Sequence, residues 1–499
     1  MTERTQHPTG GAAPGAPTAR SVRAGASGTR AAAPGGGTGT LGAGAAAPGG
    51  TSFPPLAPGR LPLVGHVVPL LRDRLAFIRK LREGGPAVRV TFGPKKMLVV
   101  NSPEMIHEML TVKSGQFSKG LLFEKLKLFG KDALPVAEGR PHLVRRRLMQ
   151  PKFHREKIGG YVTAMRDTVE PSIAAWRDGG TLDLKTEMQL MTQGVVMSVL
   201  FSSNPPRDPA LTILHSVDSV FMAAIRRALL PVALLERLPT RRNRMVRDSS
   251  GVMRGAVAEI IEEHRARPEA YDDVVSLLLA ARDEEGQPLA EDDILSEVTG
   301  ILAAGSETTA VVMAWLFHEL GRNPALERRL HQEIDTVLGG DRITLDHIGR
   351  LPFTRMCVHE TLRMYSPGWL VTRQATADVR LGDVELAAGT DVIWSPYALH
   401  RDPAIYPDPD RFDPDRWSPE RPQPPKEAFI PFGSGKRMCM GDAFALTEAT
   451  IIAALIAQRW RLRPREGEDV RPVGEITVHP SSLHMVAEAR WPAVAGRAA

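Results

Sequence analysis

The chain has 499 residues, 42% hydrophobic and 24% charged, with a formal net charge of +6 and two cysteines, Cys357 and Cys439. This is the balance of a globular protein with a large core; two distant cysteines exclude a disulfide scaffold, and without a Cys-x-x-Cys pair a structural zinc site has no support. The charge excess is mild and no basic stripe is interleaved with aromatics, so nucleic-acid binding has little support; the excess marks either a docking face for an acidic partner or ordinary solvated surface.

Residues 1–55 are Ala, Gly, Pro, Thr and Ser with four arginines and one acid, Glu3, and no Ile, Phe, Trp or Tyr precedes Phe53. Such a tail is expected to be disordered, because it cannot bury enough apolar surface to offset its ordering entropy. It holds no apolar run long enough for a signal peptide or a membrane span, so a reducing, cytoplasmic location without a membrane anchor is expected. Its Gly37-x-Gly39-x-x-Gly42 string lacks the flanking strand and helix of a dinucleotide site and reads as a chance match in glycine-rich sequence. A stiff proline cluster, Pro54, Pro55 and Pro58, marks the entry to the folded part, 56–499. Two short strands follow, Val88–Thr91 and Met97–Val100, turning at Phe92-Gly93-Pro94. Helical periodicity then dominates, over about 102–113, 138–150, 155–178, 185–202, 208–229, 250–267, 271–283, 290–322, 324–338 and 352–365. Strands return around 379–393, Pro and Asp crowd 402–425, a last helix covers 440–458, and the end is strand-like. Length alone allows two to four domains, but no linker divides the chain after residue 55. The expectation is one large, mainly α domain with a minor β region.

The sharpest chemical string is Phe432-Gly433-Ser434-Gly435-Lys436-Arg437-Met438-Cys439-Met440-Gly441. A thiolate on haem iron needs a loop that shields the sulfur and aims backbone N–H groups at it. Glycines permit the close approach, Phe432 can shield, Arg437 can reach a haem carboxylate, and the following helix start adds positive dipole. A buried structural cysteine is the competing reading; a phosphate loop fails because Arg437 stands where Ser or Thr is needed. The second string, Ala304-Gly305-Ser306-Glu307-Thr308-Thr309, lies midway in the longest helical stretch. Its glycine and paired threonines predict a bend and a local break in the hydrogen-bond ladder, with room for ligand or water; a kink with a buried Thr pair is the alternative. Glu360-Thr361-Leu362-Arg363 places an acid and a base on one helix face, a weak signal by itself. His142 and Arg146 share a face four residues apart, and Arg373 stands in Val371-Thr372-Arg373-Gln374-Ala375; each is a candidate cation for a haem carboxylate.

These strings, in this order, resemble the cytochrome P-450 superfamily over about residues 56–490. Phe432 to Gly441 matches the family's Phe-x-x-Gly-x-Arg-x-Cys-x-Gly at every fixed position, and 304–309 matches its Ala/Gly-Gly-x-Asp/Glu-Thr-Thr/Ser. The resemblance implies the P-450 fold, haem b (iron protoporphyrin IX) with Cys439 as metal ligand, and Phe432, Gly435, Arg437 and Gly441 around it. It gives Thr308 the hydroxyl that steadies the reacting oxygen and Glu307 a place in the proton path. It assigns His142, Arg146 and Arg373 to the haem propionates, and Glu360, Arg363 and Arg416 (in Pro414-Asp415-Arg416-Trp417) to a buried structural cluster.

A haem-thiolate monooxygenase takes two electrons per turnover, and the chain has no flavin, nicotinamide or iron–sulfur motif. The resemblance therefore implies a ferredoxin and its reductase as electron donors, O2 as co-substrate and a monomeric enzyme, with Arg145, Arg147 and Lys436 as candidate partner-facing cations. By family position the substrate-contact segments are about 115–135, 213–232, 297–308, 367–372 and 480–484. Leu121, Leu122, Phe123, Phe221, Met222, Ile301, Leu302, Ala304, Trp369, Leu370 and Val371 within them suit a hydrophobic small molecule or, equally, a plain core. Ser395-Pro396-Tyr397 and Phe412–Trp417 look similar to actinobacterial terpene oxidases such as pentalenene oxygenase, which favours a terpenoid. Fatty-acid or polyketide hydroxylation is the alternative. A non-catalytic haem-thiolate sensor would not need the Glu307-Thr308 pair, and a peroxygenase typically carries Arg and Pro in its place.

Overall fold

In the computed structural model, residues 53–127, 133–229, 240–282 and 286–490 are described. All but the last three residues of the glycine-rich tail lie outside them. β1 (Ala87–Phe92) and β2 (Lys95–Val100) form the expected antiparallel hairpin, turning at Gly93-Pro94. Their sheet also takes in β3 (Phe117–Ser118), β5 (Val371–Ala375) and β6 (Asp391–Trp394), in the order β1-β2-β6-β5-β3. β2 and β6 run parallel; the other pairs are antiparallel. A second sheet joins β4 (Gly180–Asp183), β7 (Trp460–Pro464) and β8 (His484–Ala489), with β8 central. The strand-like ending thus closes back on a strand from the first half of the chain.

Helices make up most of the remainder: α1 (Gly139–Met149), α2 (Arg155–Ala174), α3 (Leu184–Phe201), α4 (Arg207–Leu229), α5 (Arg241–Ala266), α6 (Glu291–Arg322), α7 (Pro324–Leu338), α8 (Pro352–Met364) and α9 (Asp442–Arg459). Local chemistry sets several ends. The Asp183 carboxylate accepts the Thr186 N–H at the start of α3, and Pro324 opens α7, which stops at Gly339 with φ 55°. α5 starts nine residues earlier than its apolar periodicity predicts. Its first turns, Arg-Arg-Asn-Arg, carry no apolar stripe, and the helix starts instead where the Thr240 hydroxyl caps the Asn243 N–H at 3.1 Å. The short helices Val67–Arg72, Arg74–Lys80 and Leu121–Leu126 are too brief for periodicity to show.

α6 is the axis of the core. Its 32 residues span about 48 Å at 1.5 Å per residue, and it is buried on almost every face. Among the described residues it alone is long and apolar enough to cross a membrane, yet 83% of its apolar window is buried inside the molecule, as in a core helix. The expected break in its ladder is not found: α6 is α-helical without interruption. The hydroxyls do bond back, Ser306 to Leu302 O at 2.7 Å and Thr308 to Ala304 O at 2.8 Å, but as additions to the ladder. Gly305 serves packing instead. A Cβ there would stand 2.6 Å from Val196 Cγ2, so glycine lets α3 lie directly on α6.

Candidate active site

The loop before α9 presents Cys439. Its N–H donates to Phe432 O at 2.9 Å, and Met438 N–H donates to Gly435 O at 3.0 Å, which folds the loop tightly. Arg146 on α1 anchors it by donating to Met438 O at 2.7 Å. Gly435 has φ 70°, and a Cβ there would sit 2.0 Å from Leu110 O. Its glycine is therefore dictated by contact with the Glu108–Val112 turn, and it does not line the cavity, whereas Phe432 and Gly441 do. The Cys439 sulfur is exposed, but to an internal cavity. Burial pushes its thiol up, against the Gly441 N–H and the nearby Arg146. Cys357 on α8 is fully buried and pushed further up, as suits an inert core residue.

Facing that cavity, α6 exposes Ala304 and Thr308, four residues apart on one side of an otherwise buried helix. Glu307 points elsewhere. Its carboxylate accepts from Gln189 on α3 and from the Thr477 hydroxyl at 3.1 Å, and it is not part of the lining. Among the described residues the one acid in the lining is Glu448 on α9, which sequence reading missed because it sits amid an apolar helix. It is buried, hydrogen-bonded to Thr309, has no partner for Oε1, and is pushed up to about 8 by burial.

One end of the cavity is cationic. Lys119, Arg373 and Arg437 converge there with Glu138, whose carboxylate takes the Arg437 guanidinium and the Lys119 N–H. Arg437 Nη1 is buried without a partner. Burial, then the charges of Arg437 and Arg373, lower Lys119 to about 7, and burial lowers Arg373 to about 10. Burial and the neighbouring cations lower His142 to about 4, so it offers a neutral N–H rather than the positive charge expected of it. Three mutually repelling cations against one carboxylate, with an orphaned guanidinium nitrogen, suit the two propionates of haem, and Cys439 would supply the thiolate. The residues present therefore fit the group. Lys119 is the addition to the expected set. Its partners come from three distant segments, so nothing in the linear string marked it.

Glu360 and Arg363 are fully buried, unlike a surface pair, and Arg416 nearly so. Arg363 grips Glu360 through two bonds of 2.8 Å, Trp417 Nε1 donates at 3.0 Å, and Arg416 Nε stands 3.5 Å away. The cluster ties α8 to the 413–417 turn. Arg147 and Lys436 are exposed as expected, but Arg145 is not partner-facing: it turns inward to Glu297 at 3.0 Å and Asp293 at 3.2 Å.

The cavity holds about 480 Å³ and is overwhelmingly apolar. Of the expected contacts, Phe123, Ile301, Ala304 and Val371 line it. Val371 and Arg373 come together because alternate residues of β5 share a face. Leu122 and Leu370 are not in the lining; the Leu122 N–H instead meets the Thr372 hydroxyl at 3.2 Å. The Phe221 side chain and segments 128–132 and 230–232 lie outside the described residues. Leu134, Pro135, Val196 and Leu200 complete the wall, from segments whose apolar residues read equally well as core.

The family described as Cytochrome P450 matches residues 54–486. Cyclooctat-9-en-7-ol 5-monooxygenase of Streptomyces melanosporofaciens is 37% identical over 436 residues, covering 87% of this chain and 95% of that protein. Pentalenene oxygenase of Streptomyces avermitilis is 37% identical over 438 residues, covering 87% and 97%. A human ultra-long-chain fatty acid omega-hydroxylase is 28% identical over 411 residues, covering 76% and 77%.

Proposed function

The chain belongs to the cytochrome P450 family, a haem-dependent monooxygenase, and we propose that its substrate is a terpenoid. One observation carries the catalytic reading: the Cys439 sulfur and the Thr308 hydroxyl open into the same, otherwise apolar cavity. Haem, when bound, supplies the chemistry that splits O2 and delivers one oxygen atom to substrate. Cys439 would be the thiolate ligand to the iron; Lys119, Arg373 and Arg437 would hold the propionates with His142 donating an N–H, while Arg146 steadies the loop. The apolar wall of Phe123, Leu134, Leu200, Ile301 and Val371 orients a hydrocarbon by shape and excludes water. Thr308 presents a hydroxyl at the reacting face. Its proton rests on Ala304 O and can rotate into the cavity, so it can hand a proton on and accept another. Glu307 sits behind the helix, on a route that would bring protons past Gln189 and Thr477.

The terpenoid reading draws on the two relatives whose names state terpenoid chemistry and on the apolar wall of the cavity. The enzyme works in the cytoplasm as a monomer. A ferredoxin, reduced by its reductase, supplies electrons at the exposed α1 face of Leu143, Val144 and Arg147 with Lys436 beside the Cys439 loop. Substrate-induced difference spectra of the holoenzyme against a sesquiterpene, a diterpene, a fatty acid and a macrolide test the class. Saturable binding of a terpene alone supports it; binding of the fatty acid or macrolide without the terpenes overturns it.

A further inference from the structure

One stretch of cavity wall, Leu134-Pro135, is gripped from two sides by buried side chains of opposite charge. Glu297 on α6 is completely buried, and its two oxygens accept the Leu134 N–H at 3.0 and 2.9 Å. The same carboxylate takes Arg145 from α1 at 3.0 Å. On the other side, Lys119 Nζ donates to Leu134 O at 2.8 Å and to Pro135 O at 2.6 Å. The wall also rests on α6 at Gly300, where a Cβ would meet Ala133 Cβ at 3.3 Å and Pro135 Cδ at 3.5 Å. Leu134, Pro135, Gly300 and Ile301 all line the cavity; Glu297 itself does not.

A buried carboxylate is costly unless paired and hydrogen-bonded, and apolar packing alone would have closed an ordinary core loop. Here the acid is paired with Arg145, and both of its oxygens also accept one peptide N–H, which belongs to the wall. Charge-assisted bonds are short and directional, so they fix position more sharply than apolar contact does. We infer that Glu297 is a specificity-determining residue: with Lys119 it clamps the Leu134-Pro135 wall and so sets the bulk of ligand the cavity admits. The inference rests on the cavity between Cys439 and Thr308 being the reaction chamber. Burial pushes Glu297 up to about 7, against the Leu134 N–H and the Arg145 guanidinium, which both pull it down.

The test uses the full-length holoenzyme, wild type beside Glu297→Gln, Glu297→Leu/Arg145→Leu and Gly300→Ala. The double variant removes both buried charges together, so neither is left unpaired. Glu297→Gln keeps one acceptor oxygen and folds more safely. Imidazole, phenylimidazole and clotrimazole, nitrogen ligands of rising bulk, are titrated by their Soret shifts. Backbone hydrogen exchange is followed over residues 133–137. The clamp predicts that imidazole affinity stays within about twofold while discrimination against bulk falls about tenfold in the double variant and less in Glu297→Gln. Exchange at 133–137 rises in the same order. Gly300→Ala, which displaces the wall without touching its bonds, also changes bulk discrimination and spares imidazole. Unchanged exchange at 133–137, or one common factor of weakening for all three probes, overturns the clamp. A wild-type holoenzyme that gives no shift even with imidazole refutes the reading of the chamber, while the exchange measurement still decides the clamp.

Discussion

Thr308→Ala separates chemistry from folding with unusual clarity. The side chain faces the cavity, and its one recorded hydrogen bond runs to Ala304 O inside an uninterrupted helix. Its removal orphans no buried group, and alanine is the better helix former, so the stability change should stay within about 0.5 kcal/mol. A positioned group that transfers a proton contributes about 10²–10⁴ in rate, or about 2.7–5.4 kcal/mol of barrier. The two effects differ by enough that a fall in product cannot be mistaken for unfolding. The assay reconstitutes the enzyme with ferredoxin and reductase, then measures product and hydrogen peroxide per electron consumed beside the substrate Kd from difference spectra. Product per electron should drop at least about tenfold, peroxide should take up the electrons, and Kd should barely move. Thr308→Ser keeps the hydroxyl and should restore most of the coupling. Unchanged product per electron in Thr308→Ala refutes the role, and a serine variant as uncoupled as alanine shows that the methyl group, not the hydroxyl, matters.

Cys439→His should move the absorption band of the reduced carbon monoxide complex from the thiolate position to that of histidine-ligated haem and abolish monooxygenation, while Cys357→Ala leaves the band in place; the reverse pattern would displace Cys439 as ligand. Glu448 titrates at about 8 in the fold against 4.5 for its ordinary value, so the folded state binds more protons between those values and its contribution to stability falls as pH rises across the window. Glu448→Gln should therefore gain urea stability relative to wild type as pH goes from 5 to about 8, and a pH-independent difference would show that the carboxyl is not held protonated. Deleting residues 1–50 should leave haem content and unfolding temperature unchanged, since that segment lacks core-forming residues; loss of haem in the truncated protein would contradict this.

Much of the architecture was legible in the linear pattern because long elements repeat their signal. α6, α7, α8 and the β1–β2 hairpin fall within a residue or two of expectation, since apolar spacing, an initial proline or a Gly-Pro turn marks each. The Cys439 loop was legible for another reason: its chemistry is confined to ten consecutive residues. Elements without an apolar stripe, such as the first turns of α5, or too short to show one, escaped.

What the sequence by itself determined is which side chains are candidates for the chemistry: a lone thiol in a glycine loop, a threonine pair on a long helix, and a histidine and an arginine at helical spacing. Only the tertiary structure decided which way they face. Glu307 and Thr308 are neighbours in the chain, yet 100° of helical rotation sends one into the cavity and the other toward Gln189 and Thr477. Glu448, Lys119 and Glu297 acquire their roles from partners far away along the chain, and the protonation of each follows from burial, which a linear string does not record.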